Sequence, residues 1–93
     1  MSTPLAIVAG VRTPFCRLGS DFASMSADDI GRAAVVELLL RTGLDPERID
    51  EVVFGCVAQP ATAANIARVI ALRSGIPDSV PALTVCRNCA SGA

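Results

Sequence analysis

Three short runs of apolar residues alternate with segments long enough to form helices, and this alternation limits the folds open to the chain. The runs occupy residues 5–11, 51–57 and 80–85, and Pro, Gly or polar residues bound each of them, as expected of buried strands. Strands that are joined by helix-length connections pair in parallel. The sequence therefore predicts an α/β fold with the element order β-α-β-α-β, followed by a further helix that begins near Cys89.

The first helix is predicted from its termini and its composition. Ser26 and Asp29 match a capping box, the helix should run to about Thr42, and Gly43 suits the left-handed position after a helix. Apolar residues cover most of the helix circumference, so we expect burial on more than one side, in a layer between others. A second helix is predicted from residue 62 or 63 to Leu72.

Composition and charge exclude several classes of function. The 93 residues are 52% hydrophobic and 18% charged, which fits one small globular domain with too few residues to cover its own core. The net charge is −1 and the basic residues, all Arg, are scattered, so no nucleic-acid partner is expected. The sequence holds no His, which excludes a Cys-His catalytic pair and His ligands to a metal within these residues.

The start of the sequence predicts a reducing compartment. The apolar run at residues 5–11 lacks a basic flank and is too short to cross a bilayer, so we expect neither an export signal nor a membrane span. A cytoplasmic protein is therefore predicted, in which the four cysteines are free thiols.

Cys89 is the candidate nucleophile. It follows the carboxyl end of the third predicted strand, where α/β sheets gather their ligands, and it would lie at a helix N-terminus, which favours the reactive thiolate. The alternative is a buried, inert thiol. Cys86 and Cys89 also form a C-x-x-C pair of the kind used by thiol-disulfide oxidoreductases. Cys16 and Cys56 do not supply a second pair at zinc-site spacing, so no metal is expected.

Two segments carry a resemblance to a known family. Residues 7–14, IVAGVRTP, look like the opening strand and turn of the thiolases, and residues 80–85 followed by Arg87-Asn88-Cys89-Ala90-Ser91-Gly92 resemble the thiolase active-site segment. The resemblance implies a five-layered αβαβα fold built from two similar halves. It also implies that Cys89 attacks the keto carbon of a 3-ketoacyl-CoA, that acetyl-CoA leaves, and that coenzyme A as co-substrate takes the acyl group from Cys89.

The resemblance also implies what these residues lack. Thiolases use a His base in a G-H-P motif and a second Cys in a C-x-G motif, and neither motif is present. Residues 1–93 are then the first part of the thiolase N-terminal domain and inactive alone. The expected partners are CoA thioesters, the remainder of the thiolase chain and further copies in a dimer or tetramer, with no tightly bound cofactor and CoA-binding residues unidentified.

Finer assignments stay open. Residues 59–72 are closer to degradative 3-ketoacyl-CoA thiolases of fatty-acid beta-oxidation than to the acetoacetyl type. A non-catalytic assembly module with a thiolase-like scaffold is a further alternative.

Overall fold

The computed structural model describes residues 3–93, and these form two helices and two parallel strands. Helix α1 spans Ala27–Thr42, strand β1 spans Val52–Gly55, helix α2 spans Ile66–Arg73 and strand β2 spans Ala82–Val85. A short 3-10 turn, Pro46–Arg48, connects α1 to β1. The α/β class is confirmed.

Local signals in the sequence fix both ends of α1. The Ser26 hydroxyl accepts a hydrogen bond from the Asp29 amide at 3.2 Å, and the Asp29 carboxylate accepts one from the Ser26 amide at 3.0 Å. Gly43 ends the helix at φ 64°, a backbone conformation that side chains other than Gly disfavour. The predicted capping box and the predicted end at Thr42 are therefore both confirmed.

Charged side chains join the start of α1 to the end of α2. The Arg73 guanidinium lies 2.5 Å from a carboxylate oxygen of Asp28 and 2.9 Å from one of Asp29. The hydrogen bond from the Ser26 amide, followed by those from Arg73 and the Ser26 hydroxyl, holds the pKa of Asp29 below its usual value. The Ser26 side chain and then Arg73 lower the pKa of Asp28 in the same direction.

The two strands are direct neighbours in a parallel sheet. Val52 pairs with Ala82 and Gly55 pairs with Val85, so both strands end at the same edge of the sheet. The Cys56 amide extends the ladder by donating to the Val85 carbonyl at 3.0 Å. Helix α2 forms the crossover between the strands, as helix-length connections predict.

Side chains satisfy the first three amide groups of α2. These groups have no acceptor within their own helix, because the regular bonding pattern begins one turn later. The acceptors are Gln59 Oε1 for Ile66 at 3.1 Å, Thr84 Oγ1 for Ala67 at 3.0 Å and Asn65 Oδ1 for Arg68 at 3.3 Å. Because Thr84 belongs to β2, its hydroxyl fixes the start of α2 against the sheet.

The core lies between the sheet and the helices. It is small, and α2 supplies half of its buried members. The buried apolar residues are Val52, Ala63, Ile66, Ala67, Ile70, Ala71, Ile76 and Val80. Val35 and Leu39 of α1 pack against this core.

Residues 5–11 differ from the sequence prediction. They form no strand, and Leu5, Ile7 and Val8 are at least 90% exposed. A strand is stabilised by backbone hydrogen bonds to a neighbour, and within residues 3–93 this run is paired with neither strand. Instead, residues 6–9 face α1 and the start of β1 across a cavity of about 670 Å³. The element order in the described residues is therefore α-β-α-β.

The second difference concerns the layers. No residue of α1 is fully buried, and Leu40 on its outer side is 73% exposed. On the sheet, Val53 and Leu83 are each about half exposed, so the face away from the helices is only partly covered. The helix therefore packs on one side only, in contrast to the predicted burial between two layers, because residues 3–93 supply nothing to cover its other side.

The exposed area measures how incomplete the packing is. The chain presents 6954 Å² to solvent. A folded monomer of 9.6 kDa is expected to expose about 5,100 Å². The expectation that this chain does not cover its own core agrees with that excess. Neither helix in residues 3–93 combines the length and apolar content that a bilayer crossing needs.

Candidate active site

The segment that carries Cys89 leaves the sheet at the common carboxyl edge of the two strands. It begins directly after β2, at Cys86, and it faces the residues that follow β1. The Cys86 thiol lies 3.6 Å from the Val57 carbonyl, a weak hydrogen bond that links the two segments. The candidate nucleophile therefore lies at the edge of the sheet where reactive groups of parallel sheets are found.

Consecutive turns shape this segment, and the helix expected near Cys89 is not formed within residues 86–93. The Ala90 amide donates to the Arg87 carbonyl at 3.0 Å, and the Ser91 amide donates to the Asn88 carbonyl at 3.1 Å. Both bonds span three residues, as in turns, whereas α-helical bonds span four. Asn88 has φ 50°, in the left-handed region, which interrupts helical geometry one residue before Cys89.

The Ser91 hydroxyl stabilises the turn through two hydrogen bonds. It accepts a hydrogen bond from the Arg87 amide at 2.8 Å and donates one to the Asn88 carbonyl at 2.7 Å. Ser side chains commonly compete with helical bonding in this way. Residues 87–91 therefore form a closed arc, which we call the Cys89 arc, with Cys89 at its midpoint.

Cys89 is exposed and is a free thiol. Within residues 3–93 the thiol is therefore not sealed in the core. No helix N-terminus faces the thiol within the described arc, so the proposed cause of its activation is not present there. The thiol is nevertheless accessible, because a reagent in solution can reach the exposed sulfur directly.

The structure does not bring the four cysteines into one cluster. Cys16 lies in the loop before α1, with its sulfur 3.8 Å from an Asp21 oxygen, and Cys56 is half-buried against the core. Within residues 3–93, no group of three or more potential metal ligands is arranged to hold an ion.

Gly55 was not among the site residues that the sequence singled out. It ends β1, and the peptide between Ser91 and Gly92 lies directly over it. A Cβ built on Gly55 would overlap the Ser91 carbonyl group and would stand 2.9 Å from the Gly92 nitrogen. The sequence signal that could have identified it is a Gly at the end of one strand together with a run of small residues after the neighbouring strand.

Arg68 is committed to structural contacts. Its guanidinium donates to the carbonyls of Asp78 and Val80, both at 3.1 Å, in the turn that leads into β2. It therefore fixes the path of the chain into the strand that precedes Cys89.

Known proteins resemble this chain along nearly all its length. Residues 5–93 match the model of the thiolase N-terminal domain. The 3-ketoacyl-CoA thiolase of Vibrio cholerae is 46% identical over 87 residues, which cover 94% of this chain and 20% of that protein. The corresponding enzyme of Aeromonas salmonicida is 47% identical with the same coverage.

Solved structures agree with this match. Human mitochondrial 3-ketoacyl-CoA thiolase in complex with CoA superposes with a TM-score of 0.82 and 39% identity, over 87% of this chain and 21% of that one. Acat5 thiolase from Ascaris suum, in complex with coenzyme A, has the same TM-score and coverage at 36% identity. The chain thus spans about a fifth of the length of the curated relatives it matches. On this evidence, the chain belongs to the thiolase family.

Proposed function

We propose that this chain is the nucleophile-bearing first part of a 3-ketoacyl-CoA thiolase, with Cys89 as the catalytic residue. The observation that carries the proposal is an exposed thiol on a braced arc at the carboxyl edge of a parallel sheet, in a chain of this family. The names of the relatives support the substrate class, and the two CoA-bound relatives support coenzyme A as co-substrate.

In the proposed reaction, the acyl group is transferred first to Cys89 and then to coenzyme A. The Cys89 thiolate attacks the keto carbon of a 3-ketoacyl-CoA, and the bond between the α-carbon and that carbon breaks. The electron pair of this bond stays with the leaving acetyl-CoA, which takes up a proton, while the shortened acyl group remains on Cys89 as a thioester. The thiolate of a second coenzyme A then attacks this thioester, releases the shortened acyl-CoA and restores Cys89.

The proton transfers require a group outside this chain. A general base within hydrogen-bond reach must deprotonate the thiol, and the 93 residues contain no His. The excess exposed area supports a further polypeptide segment that packs against this one. The chain alone is therefore expected to be inactive, and its remaining partners are CoA thioesters and further copies in a dimer or tetramer.

The proposal extends to the cellular role. The relatives named as 3-ketoacyl-CoA thiolases support a place in fatty-acid beta-oxidation. Four free cysteines suit a reducing compartment and support a cytoplasmic location.

The test is a chimera in which residues 5–93 replace the matched segment of the Vibrio cholerae thiolase. We expect the chimera to cleave a 3-ketoacyl-CoA in the presence of CoA. The substitution Cys89→Ser should lower turnover by at least about 10³-fold, as is typical when a nucleophile is removed. Cys86→Ser, a change of the same kind three residues away, should leave turnover within about twofold, because Cys86 is exposed and a serine hydroxyl can replace the weak hydrogen bond of its thiol to the Val57 carbonyl.

The mass of the Cys89 peptide after rapid acid quench gives an independent readout. An acyl adduct on Cys89, absent in Cys89→Ser, is expected. A chimera that elutes as a folded oligomer but shows neither turnover nor an adduct would refute the proposal. A reversible Cys86–Cys89 disulfide without acyl transfer would instead favour the oxidoreductase.

A further inference from the structure

Gly55 and the Cys89 arc meet backbone to backbone. Gly55 ends β1, where its pairing with Val85 fixes its place in the sheet. The Ser91 carbonyl group occupies the space that a Cβ on Gly55 would need. A flexible side chain could rotate away from a methyl group, but a peptide group within a hydrogen-bonded turn moves only if the turn moves.

The arc transmits such a movement to Cys89. Ser91 is bonded to Arg87 and Asn88 through its hydroxyl at 2.8 and 2.7 Å, and its amide donates to the Asn88 carbonyl. These bonds enclose Cys89 on both sides in sequence. A displacement at Ser91 therefore shifts or opens the short segment on which the thiol is carried.

We propose that Gly55 is a positioning residue for Cys89, and this inference rests on the proposed role of Cys89 as the nucleophile. Gly55 acts through Ser91: the absence of a side chain at Gly55 lets the arc lie against the sheet, and this contact sets the position of the thiol. A methyl at Gly55 would have to lift the Ser91 peptide by on the order of 1 Å, and a misplacement of that size can cost roughly 10²-fold in rate.

The test compares two substitutions that add the same methyl group to the chimera. Gly55→Ala places it against the arc, whereas Gly10→Ala places it where no atom of residues 3–93 lies within 4 Å. The measured quantities are the single-turnover rate of acyl transfer to Cys89, the KM for the 3-ketoacyl-CoA and the hydrogen exchange of residues 87–91. We expect Gly55→Ala to slow acyl transfer by about 10- to 100-fold with KM changed less than about threefold. Exchange in the arc should rise, and Gly10→Ala should match the parent.

The outcomes separate this inference from the function on which it rests. If the parent chimera forms no acyl adduct on Cys89, the proposed function fails and the positioning role fails with it. If the parent forms the adduct and Gly55→Ala forms it within about twofold of the same rate, only the positioning role is refuted.

A second variant keeps the inference testable if Gly55→Ala does not fold. Ser91→Ala leaves the sheet unchanged and removes both hydroxyl bonds that close the arc. We expect slower acyl transfer by at least about fivefold at an unchanged KM and a melting temperature close to that of the parent. Acyl transfer at the parent rate would overturn the claim that the arc sets the position of Cys89.

Discussion

The substitution Thr84→Val tests whether one hydroxyl holds α2 against the sheet. Valine has nearly the shape of threonine but neither donates nor accepts a hydrogen bond. In the parent, the Thr84 hydroxyl accepts from the Ala67 amide at 3.0 Å and donates to Asn65 Oδ1 at 2.7 Å. Valine removes both bonds and leaves the backbone in place.

The size of the effect follows from the burial of each partner. Ala67 is 0% exposed, so water cannot replace the lost acceptor, and an unsatisfied buried amide costs about 1–3 kcal/mol. Asn65 is exposed and can bond to water instead, so the loss of its hydrogen bond with Thr84 contributes little. The added methyl of valine at a half-buried site returns about 0.5 kcal/mol. We therefore expect the free energy of unfolding to fall by about 1.5 kcal/mol.

Urea unfolding of the 93-residue chain, followed by far-ultraviolet circular dichroism, measures this change. The matched control is Thr84→Ser, which keeps the hydroxyl and loses one half-buried methyl, at a cost of about 0.5 kcal/mol. If the hydrogen bond to the Ala67 amide dominates, Thr84→Ser is more stable than Thr84→Val, because serine keeps the hydroxyl. If apolar burial alone mattered, Thr84→Val would be the more stable variant. A valine variant at least as stable as the serine variant would refute the reasoning.

Three further substitutions test the core and the cap of α1. Ile70→Ala, at a side chain that is 1% exposed, should lower the free energy of unfolding by about 3 kcal/mol in urea titrations, and a loss below about 1 kcal/mol would contradict its burial. Ser26→Ala removes the cap acceptor and should cost about 1 kcal/mol in the same assay; no loss would mean that the cap contributes nothing. The folded pKa of Asp29 lies below the usual 3.8, so ionised Asp29 stabilises the fold above pH 3.8, and this stability is lost as the pH falls through the folded value. The melting temperature should therefore fall more steeply below about pH 4 in the parent than in Asp29→Asn, and equal slopes would contradict the assigned role.

Short-range signals in the sequence were sufficient for both ends of α1, whereas α2 begins at Ile66 rather than at the predicted residue 62 or 63. Ser26, Asp29 and Gly43 act within a few residues of themselves, so their pattern predicts α1 without knowledge of the rest of the fold. The central residues of the second and third predicted strands were likewise predicted correctly, since Val52–Gly55 and Ala82–Val85 pair in parallel as expected.

Packing between distant segments and local backbone geometry each decided features that the sequence pattern did not predict. The apolar run at residues 5–11 has the composition of a strand, but no strand lies beside it in the described part of the chain. Near Cys89, the left-handed Asn88 and the bonds of the Ser91 hydroxyl replace the expected helix with turns. The close approach of the Ser91 carbonyl to Gly55 also depends on packing between segments 36 residues apart, which no local motif records.

The capped start of α2 limits where a charged co-substrate can bind. A helix N-terminus often holds a phosphate, because its free amide groups and its dipole attract negative charge. In α2, all of the first three amides already donate to neutral oxygens of Gln59, Asn65 and Thr84. A diphosphate group that bound there would have to displace these acceptors, including the Thr84 hydroxyl that joins the helix to the sheet. Under the proposed function, the negative charges of a CoA thioester would therefore be neutralised by groups other than this helix terminus.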